Sequence, residues 1–133
     1  MQTLSSPIRA ATPTLWASRA ISAVVILFLT FDSVIKIIQH PEAVAPTTGF
    51  GYALGMVTVL GLIELACLAL YLIPRTAVIG AILLTGYLGG AVATQVRAEA
   101  APFSIAFPVI LGALIWGVLY LREARLRALI PLR

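Results

Sequence analysis

Three ionisable residues, Asp32, Lys36 and Glu64, interrupt the long apolar stretches of this sequence. A charged side chain at the centre of a membrane-spanning helix costs roughly 2.5–3.5 kcal/mol on insertion scales, so each residue marks a candidate functional site. Asp32 and Lys36 are four residues apart, which places them on one face of a helix and allows them to pair. Asp32 can also pair with polar groups expected at a similar depth in the third apolar stretch, namely Thr94, Gln95 and Arg97. Two interpretations fit: an ion pair that joins two helices, and the polar mouth of a cavity that opens outward.

Glu64 lies in the middle of the second apolar stretch, within a few ångströms of its centre at a rise of ~1.5 Å per residue. Two roles fit a carboxyl group at this depth. It is a proton-coupled site or a ligand for a cationic or hydroxylated lipid-soluble molecule, or it bonds a neighbouring hydroxyl and ties two helices together. Tyr87 lies at a similar depth and is a candidate hydroxyl partner.

The third apolar stretch ends in TGYLGGAVATQVR (residues 85–97), which combines small residues with a polar end. Small residues let the backbone of a neighbouring helix approach closely, so Gly86, Gly89 and Gly90 are predicted to pack against another helix. The polar end falls at the expected depth of Asp32 and Lys36. The sequence therefore gives seven candidate ligand-binding residues: Asp32, Lys36, Glu64, Tyr87, Thr94, Gln95 and Arg97.

The composition identifies the class of protein that carries these residues. Hydrophobic residues make up 61% of the 133 and charged residues 11%, whereas soluble domains have about 25% charged residues. This composition therefore predicts an integral membrane protein. Its net charge of +4 comes from basic residues at the ends of apolar stretches, so nucleic acid is not an expected partner. One cysteine and one histidine predict no bound metal and no intrinsic cofactor.

Four apolar stretches are each close to the ~20 residues that cross a ~30 Å hydrocarbon core. They are continuous rather than alternating, which excludes β-strands and predicts an all-α four-helix bundle. Residues 40–51 are rich in Pro, Gly and Thr and are predicted to form a loop. Residues 1–15 are predicted to be a flexible cytoplasmic tail, and residues 122–133 a basic cytoplasmic tail. The bundle occupies residues 16–121, with predicted spans at 16–39, 52–73, 76–97 and 103–121.

The distribution of basic residues predicts the orientation of the bundle. If the N-terminus is inside, seven of the nine Lys and Arg residues lie on the inner side, and only Lys36 and Arg97 lie on the outer side. Because an excess of Lys and Arg marks cytoplasmic segments, both termini are predicted to be cytoplasmic. The expected location is the bacterial inner membrane.

The residues 61–87 (GLIELACLALYLIPRTAVIGAILLTGY), the residues 85–97 and the placement of Asp32 and Lys36 resemble the DoxX-like family of small four-helix bacterial membrane proteins. The resemblance covers about residues 16–121. It implies that the chain is related to a small subunit of a thiosulfate–quinone oxidoreductase and to membrane partners of soluble redox enzymes. More distant four-helix relatives act as assembly chaperones or bind sterol ligands. In members of that family a histidine often occupies the position that Gln95 holds in this sequence. The resemblance therefore does not imply, for this chain, a role in which an imidazole binds a ligand or moves a proton.

Three functions remain open from the sequence. The first is a non-catalytic or accessory membrane subunit that binds a quinone-like or lipid-like molecule, works with a membrane or soluble redox partner, or forms a homo-oligomer. The second is a proton-coupled exporter resembling the small multidrug resistance family. Two features count against this second function. The embedded glutamate of this chain is in the second span, whereas that family has it in the first. The 7:2 distribution of basic residues also disfavours the dual topology that antiparallel dimers of that family often use. The third is an intramembrane enzyme that uses Glu64 as acid and base.

Overall fold

A computed structural model describes residues 12–129, and every regular element in that range is helical. A 3₁₀ turn at Pro74–Thr76 joins the third α-helix to the fourth. In chain order the α-helices are α1 (Thr12–Ile37), α2 (Pro41–Gly49), α3 (Leu54–Leu72), α4 (Ala77–Arg97), α5 (Pro102–Arg122) and α6 (Ala124–Leu129).

Four of these helices are long and apolar enough to cross a membrane: α1, α3, α4 and α5. Many of their largest apolar side chains point away from the protein. Such a surface is stable in lipid and not in water. The all-α, four-helix prediction is therefore confirmed, and the chain is a multi-pass membrane protein.

The four long helices form a square in cross-section. Helix α1 packs on α3 and α5, and α4 packs on the same two helices, so α1 and α4 occupy opposite corners. The core between them holds Val25, Leu29, Leu68, Leu84 and Ile115. Because the chain runs up and down, α2 and the α4–α5 turn lie at one end of the bundle, called here the α2 end. The 3₁₀ turn and α6 lie at the other, the α6 end.

Helices α3 and α4 are in close backbone contact at Gly80. A Cβ added there would overlap the backbone of Tyr71, 2.5 Å from its Cα atom. In contrast, a Cβ added at Gly86, Gly89 or Gly90 would meet no atom within 4 Å. Within the described residues of one copy, these three glycines therefore do not make the predicted close contact, and Gly80 makes it instead.

The predicted loop at residues 40–51 contains the nine-residue helix α2, so that prediction is wrong. Its start has strong helix signals. Pro41 occupies the first position, where a proline costs no hydrogen bond, and the His40 side chain accepts the backbone N–H of Glu42 at 3.1 Å. The helix ends before Gly51, whose φ of 101° favours glycine.

Only part of each predicted tail lies in the described range. Residues 1–11 and 130–133 lie outside it, and the remaining part of the first tail, residues 12–15, belongs to α1. In the second predicted tail, residues 124–129 form the short helix α6, in which Leu126 is buried. The Arg127 guanidinium donates to the backbone oxygens of Tyr120 and Leu121, at 2.9 and 2.7 Å, and so caps the end of α5.

Gly80→Ala should lower the free energy of unfolding by about 1–3 kcal/mol, because the added methyl meets backbone rather than a movable side chain. Thermal unfolding in detergent can be followed with a thiol-reactive dye, since Cys67 is the single cysteine and is buried. Gly55→Ala in α3 is the control, since nothing lies within 4 Å of that site. Equal melting temperatures for the two variants would contradict the close α3–α4 contact.

Candidate functional site

The ammonium group of Lys36 joins three of the four long helices. Its Nζ atom lies 2.5 Å from Asp32 Oδ2 on the same helix and 3.6 Å from Glu64 Oε2 on α3. It also donates a hydrogen bond of 3.0 Å to the hydroxyl of Tyr87 on α4. A charge removed from water is tolerated when opposite charges and hydrogen-bond partners surround it, and Lys36 has both.

Glu64 is the most enclosed member of this cluster, with 1% of its surface exposed. The Ser33 hydroxyl is placed to donate to Glu64 Oε1 at 3.0 Å and to the backbone oxygen of Leu29 at 2.6 Å. A hydroxyl has one proton, so these two bonds share it unless Glu64 carries a proton of its own. With two carboxyl groups and one ammonium, the cluster becomes electrically neutral when one proton binds.

Gly61 brings α3 close enough to α1 for Glu64 to reach Lys36. A Cβ at Gly61 would lie 2.7 Å from the backbone oxygen of Ser33 and 2.8 Å from Cβ of Lys36. Residues three apart share a helix face, so Gly61 and Glu64 both face α1. The missing side chain at Gly61 therefore sets the distance across which the charges interact.

A cavity of about 340 Å³ lies beside the Lys36 cluster, towards the α2 end. The α4 residues Gly86 and Gly90 form part of its wall and are exposed on the bundle surface. Since neither has a side chain, the cavity reaches the lipid-facing surface at this point. Its other lining residues are Lys36, Thr47, Phe50, Tyr52, Leu60, Tyr87, Ala91, Thr94 and Gln95.

The segment that follows α2 is fastened to the end of α4. The Arg97 guanidinium donates to the backbone oxygen of Phe50, and the hydroxyls of Tyr52 and Thr94 share a hydrogen bond of 3.1 Å. At the same end, the Gln39 amide donates to Thr58 Oγ1 and to the backbone oxygen of Leu54, both at 3.2 Å. These bonds position Phe50 and Tyr52 as the wall of the cavity at the α2 end.

Two of the predicted site residues meet as expected, and others take different partners. Asp32 pairs with Lys36, one of the partners proposed from the sequence, and Tyr87 bonds Lys36 rather than Glu64. The remaining three predicted candidates divide between the cavity and its edge. Thr94 and Gln95 line the cavity, whereas Arg97 is exposed and bonds Phe50.

Sequence reasoning missed Ser33 and Gly61, and it missed several residues that line the cavity, including Phe50 and Tyr52. Ser33 offered a usable signal, because it follows Asp32 and a hydroxyl in an apolar helix commonly bonds a carbonyl four residues earlier. Phe50 and Tyr52 offered no such signal in the sequence, since their positions in the cavity wall depend on how the segment after α2 folds back. Within residues 12–129, no three His, Cys, Asp or Glu side chains form a group that could hold a metal ion.

Comparison with known proteins gives the family. A model of the DoxX-like family matches residues 20–118, which is most of the chain and includes all four long helices in whole or in large part. The chain belongs to the DoxX-like family. The family resemblance inferred from residues 61–97 and from the placement of Asp32 and Lys36 is thus confirmed. No curated protein and no solved structure matches this DoxX-like chain.

Lys36→Met should lower the free energy of unfolding by about 3 kcal/mol or more, because it leaves Asp32 and Glu64 without their shared cation. Lys36→Met combined with Asp32→Asn should recover part of that loss, since one uncompensated carboxylate is removed. Unfolding in detergent measures both variants. Arg75→Met, at an exposed basic residue, is the control and should stay within about 0.5 kcal/mol of the parent protein. A Lys36→Met variant as stable as this control would refute the compensated-charge interpretation.

Proposed function

We propose that this DoxX-like protein is a membrane accessory subunit that binds a small lipid-soluble molecule with acceptor oxygens, such as the head group of a quinone. The ligand occupies the cavity beside Lys36. The observation that carries the proposal is the set of hydrogen-bond donors that line this cavity and that the protein itself does not use.

The strongest of these donors is the hydroxyl of Tyr87. Its oxygen accepts a hydrogen bond from Lys36, so its own proton is left for another acceptor. A hydroxyl bonded to a cation is a better donor, because hydrogen bonds in a chain polarise one another. Among the described residues the Gln95 side chain has no hydrogen-bond partner, and it lines the same cavity. Tyr87 and Gln95 lie eight residues apart on α4, about 12 Å along the helix at a rise of ~1.5 Å per residue. A quinone ring carries two carbonyl oxygens, so we propose that one accepts from Tyr87 and the other from Gln95.

The size and opening of the cavity suit a ring with an attached chain. Small-molecule pockets hold roughly 300–1,000 Å³, so 340 Å³ accommodates a head group rather than an extended lipid. The wall at Gly86 and Gly90 leaves an exit towards the bilayer. An isoprenoid or acyl chain can leave by this route while the head group stays beside Tyr87.

The charges around the cavity favour this function over a proton-coupled exporter of cations. Lys36 lines the cavity, but no carboxylate does, so a cationic substrate would meet a positive charge first. Glu64 is 1% exposed and lies against Lys36 and Ser33, and Asp32 is also paired with Lys36. The same placement disfavours an enzyme in which Glu64 contacts substrate directly. Any redox change of a bound quinone would therefore involve a membrane or soluble partner enzyme.

Tyr87→Phe should weaken binding of a radiolabelled short-chain quinone about 2- to 10-fold, since the loss of one hydrogen bond is worth about 0.5–1.5 kcal/mol. Gln95→Leu should have a similar effect. Equilibrium binding to protein in lipid nanodiscs measures both variants. Tyr120→Phe, the same chemical change at the α6 end, is the control and should bind like the parent protein. Unchanged binding in both cavity variants, or an equal loss in the control, would refute the proposed site.

The proposed location is the bacterial inner membrane with both termini in the cytoplasm. The basic residues of the described range support this orientation, because all but Lys36 and Arg97 lie at the α6 end. The basic residues at the α6 end are Arg19, Arg75, Arg122, Arg125 and Arg127. Positive charge in short loops and helix ends marks the cytoplasmic side.

Fusion of alkaline phosphatase after residue 133 should give an inactive enzyme, whereas a fluorescent protein fused there should fluoresce. Both outcomes follow from a cytoplasmic C-terminus. The matched test places phosphatase within the exposed segment at Thr48–Gly49, where it should be active. The opposite pattern of phosphatase activity would reverse the orientation.

A further inference from the structure

A second cavity, separate from the Lys36 site, lies at the α6 end between α1 and α5. It has a volume of about 640 Å³. One part of its lining is polar or basic, from Ser18, Arg19, Ser22 and Arg122, and the rest is largely apolar, including Leu15 and Ile26. The proposed quinone site does not use any of these residues. A groove that presents both cations and apolar side chains matches an amphipathic ligand.

Ser18 supplies an independent sign that a ligand belongs in this groove. The residue is 2% exposed, and its hydroxyl oxygen has no hydrogen-bond partner among the described residues. Buried hydroxyls are nearly always bonded, so an unpartnered one calls for an acceptor or donor from outside. Ser22 lies one helical turn further along the same face of α1 and is also buried.

The two arginines of the groove are free to bind an anion. Neither Arg19 nor Arg122 forms an ion pair within the described residues; Arg19 lies 5.9 Å from the ring centre of Trp16. Arg127 rather than Arg122 caps the carbonyl groups at the end of α5. Of the five acidic residues in the sequence, only Glu123 lies at this end, and it does not line the groove.

We infer that this groove binds one anionic phospholipid, with its phosphate between Arg19 and Arg122 and its acyl chains along the apolar wall. Guanidinium groups recognise phosphate oxygens through paired N–H donors, and the Ser18 and Ser22 hydroxyls add donors on α1. The apolar residues Leu15 and Ile26 favour a lipid over free phosphate, because a free ion would leave them without a partner.

The test uses native mass spectrometry of the full chain with phosphatidylglycerol and phosphatidylcholine added in equal amounts. The parent protein should retain one phosphatidylglycerol in preference to phosphatidylcholine. Arg19→Gln combined with Arg122→Gln should reduce that preference by roughly tenfold or more, since charge-assisted hydrogen bonds are lost. Arg75→Gln combined with Arg125→Gln removes the same charge at the same end, outside the groove, and should keep the preference. An equal loss in both double variants would overturn the proposal, because it would show attraction by surface charge alone.

Ser18→Ala separates ligand binding from a structural role. In lipid-free detergent it should melt at the same temperature as the parent protein or higher, because an unpartnered buried hydroxyl is removed. The same variant should retain less phosphatidylglycerol. A lower melting temperature with unchanged lipid retention would overturn the proposal. Inorganic phosphate added to the lipid-bound protein should leave the lipid in place; its release would show a site for free phosphate instead.

Discussion

The structure depends on the compensation of one positive charge between membrane-spanning helices. The Lys36 ammonium interacts with Asp32, Glu64 and Tyr87, which lie on three different helices. Bilayer lipid offers no water to solvate this charge, so the helices must hold these partners in place. The bundle therefore holds α1, α3 and α4 in fixed positions relative to one another. These positions determine the shape of the cavity beside Lys36.

Glycine positions contribute both to close helix packing and to the hollow beside Lys36. At Gly80 the backbones of α3 and α4 are in contact, and at Gly61 α3 contacts α1. Further along α4, Gly86 and Gly90 have no neighbour to fill the space that their missing side chains leave. The same residue type thus has two opposite effects. At a helix–helix contact it permits close approach, and at the exposed wall of the cavity it leaves a hollow.

The sequence predicts those features that depend on one helix at a time. Segment length and hydropathy predicted the four long helices, and the spacing of four residues gave Lys36 as one of the candidate partners of Asp32, the one that the structure shows. It could not predict which helices meet, because crossing angles depend on the whole bundle. The contact of Lys36 with Tyr87 joins opposite corners of the square and has no signal in spacing.

The ends of the helices were also hard to predict. Helices α1 and α4 both finish beside a residue of positive φ that is not glycine, Gln39 and Glu99. In each case backbone bonds close the last turn, from His40 to Ile35 and from Ala100 to Gln95. Composition alone does not reveal such an end. The helix α2 was missed for a related reason, since its prolines suggest a loop unless Pro41 is placed at a helix start.

If the proposed ligand enters through the opening at Gly86 and Gly90, the bilayer controls the occupancy of the proposed site. A ligand that enters through the side of the bundle comes from the membrane, so the bilayer acts as its reservoir. Occupancy then follows the mole fraction of ligand among the lipids and not its concentration in the surrounding water. A molecule that partitions strongly into the bilayer could saturate the site with few contacts, which is consistent with a cavity that offers only a handful of polar groups.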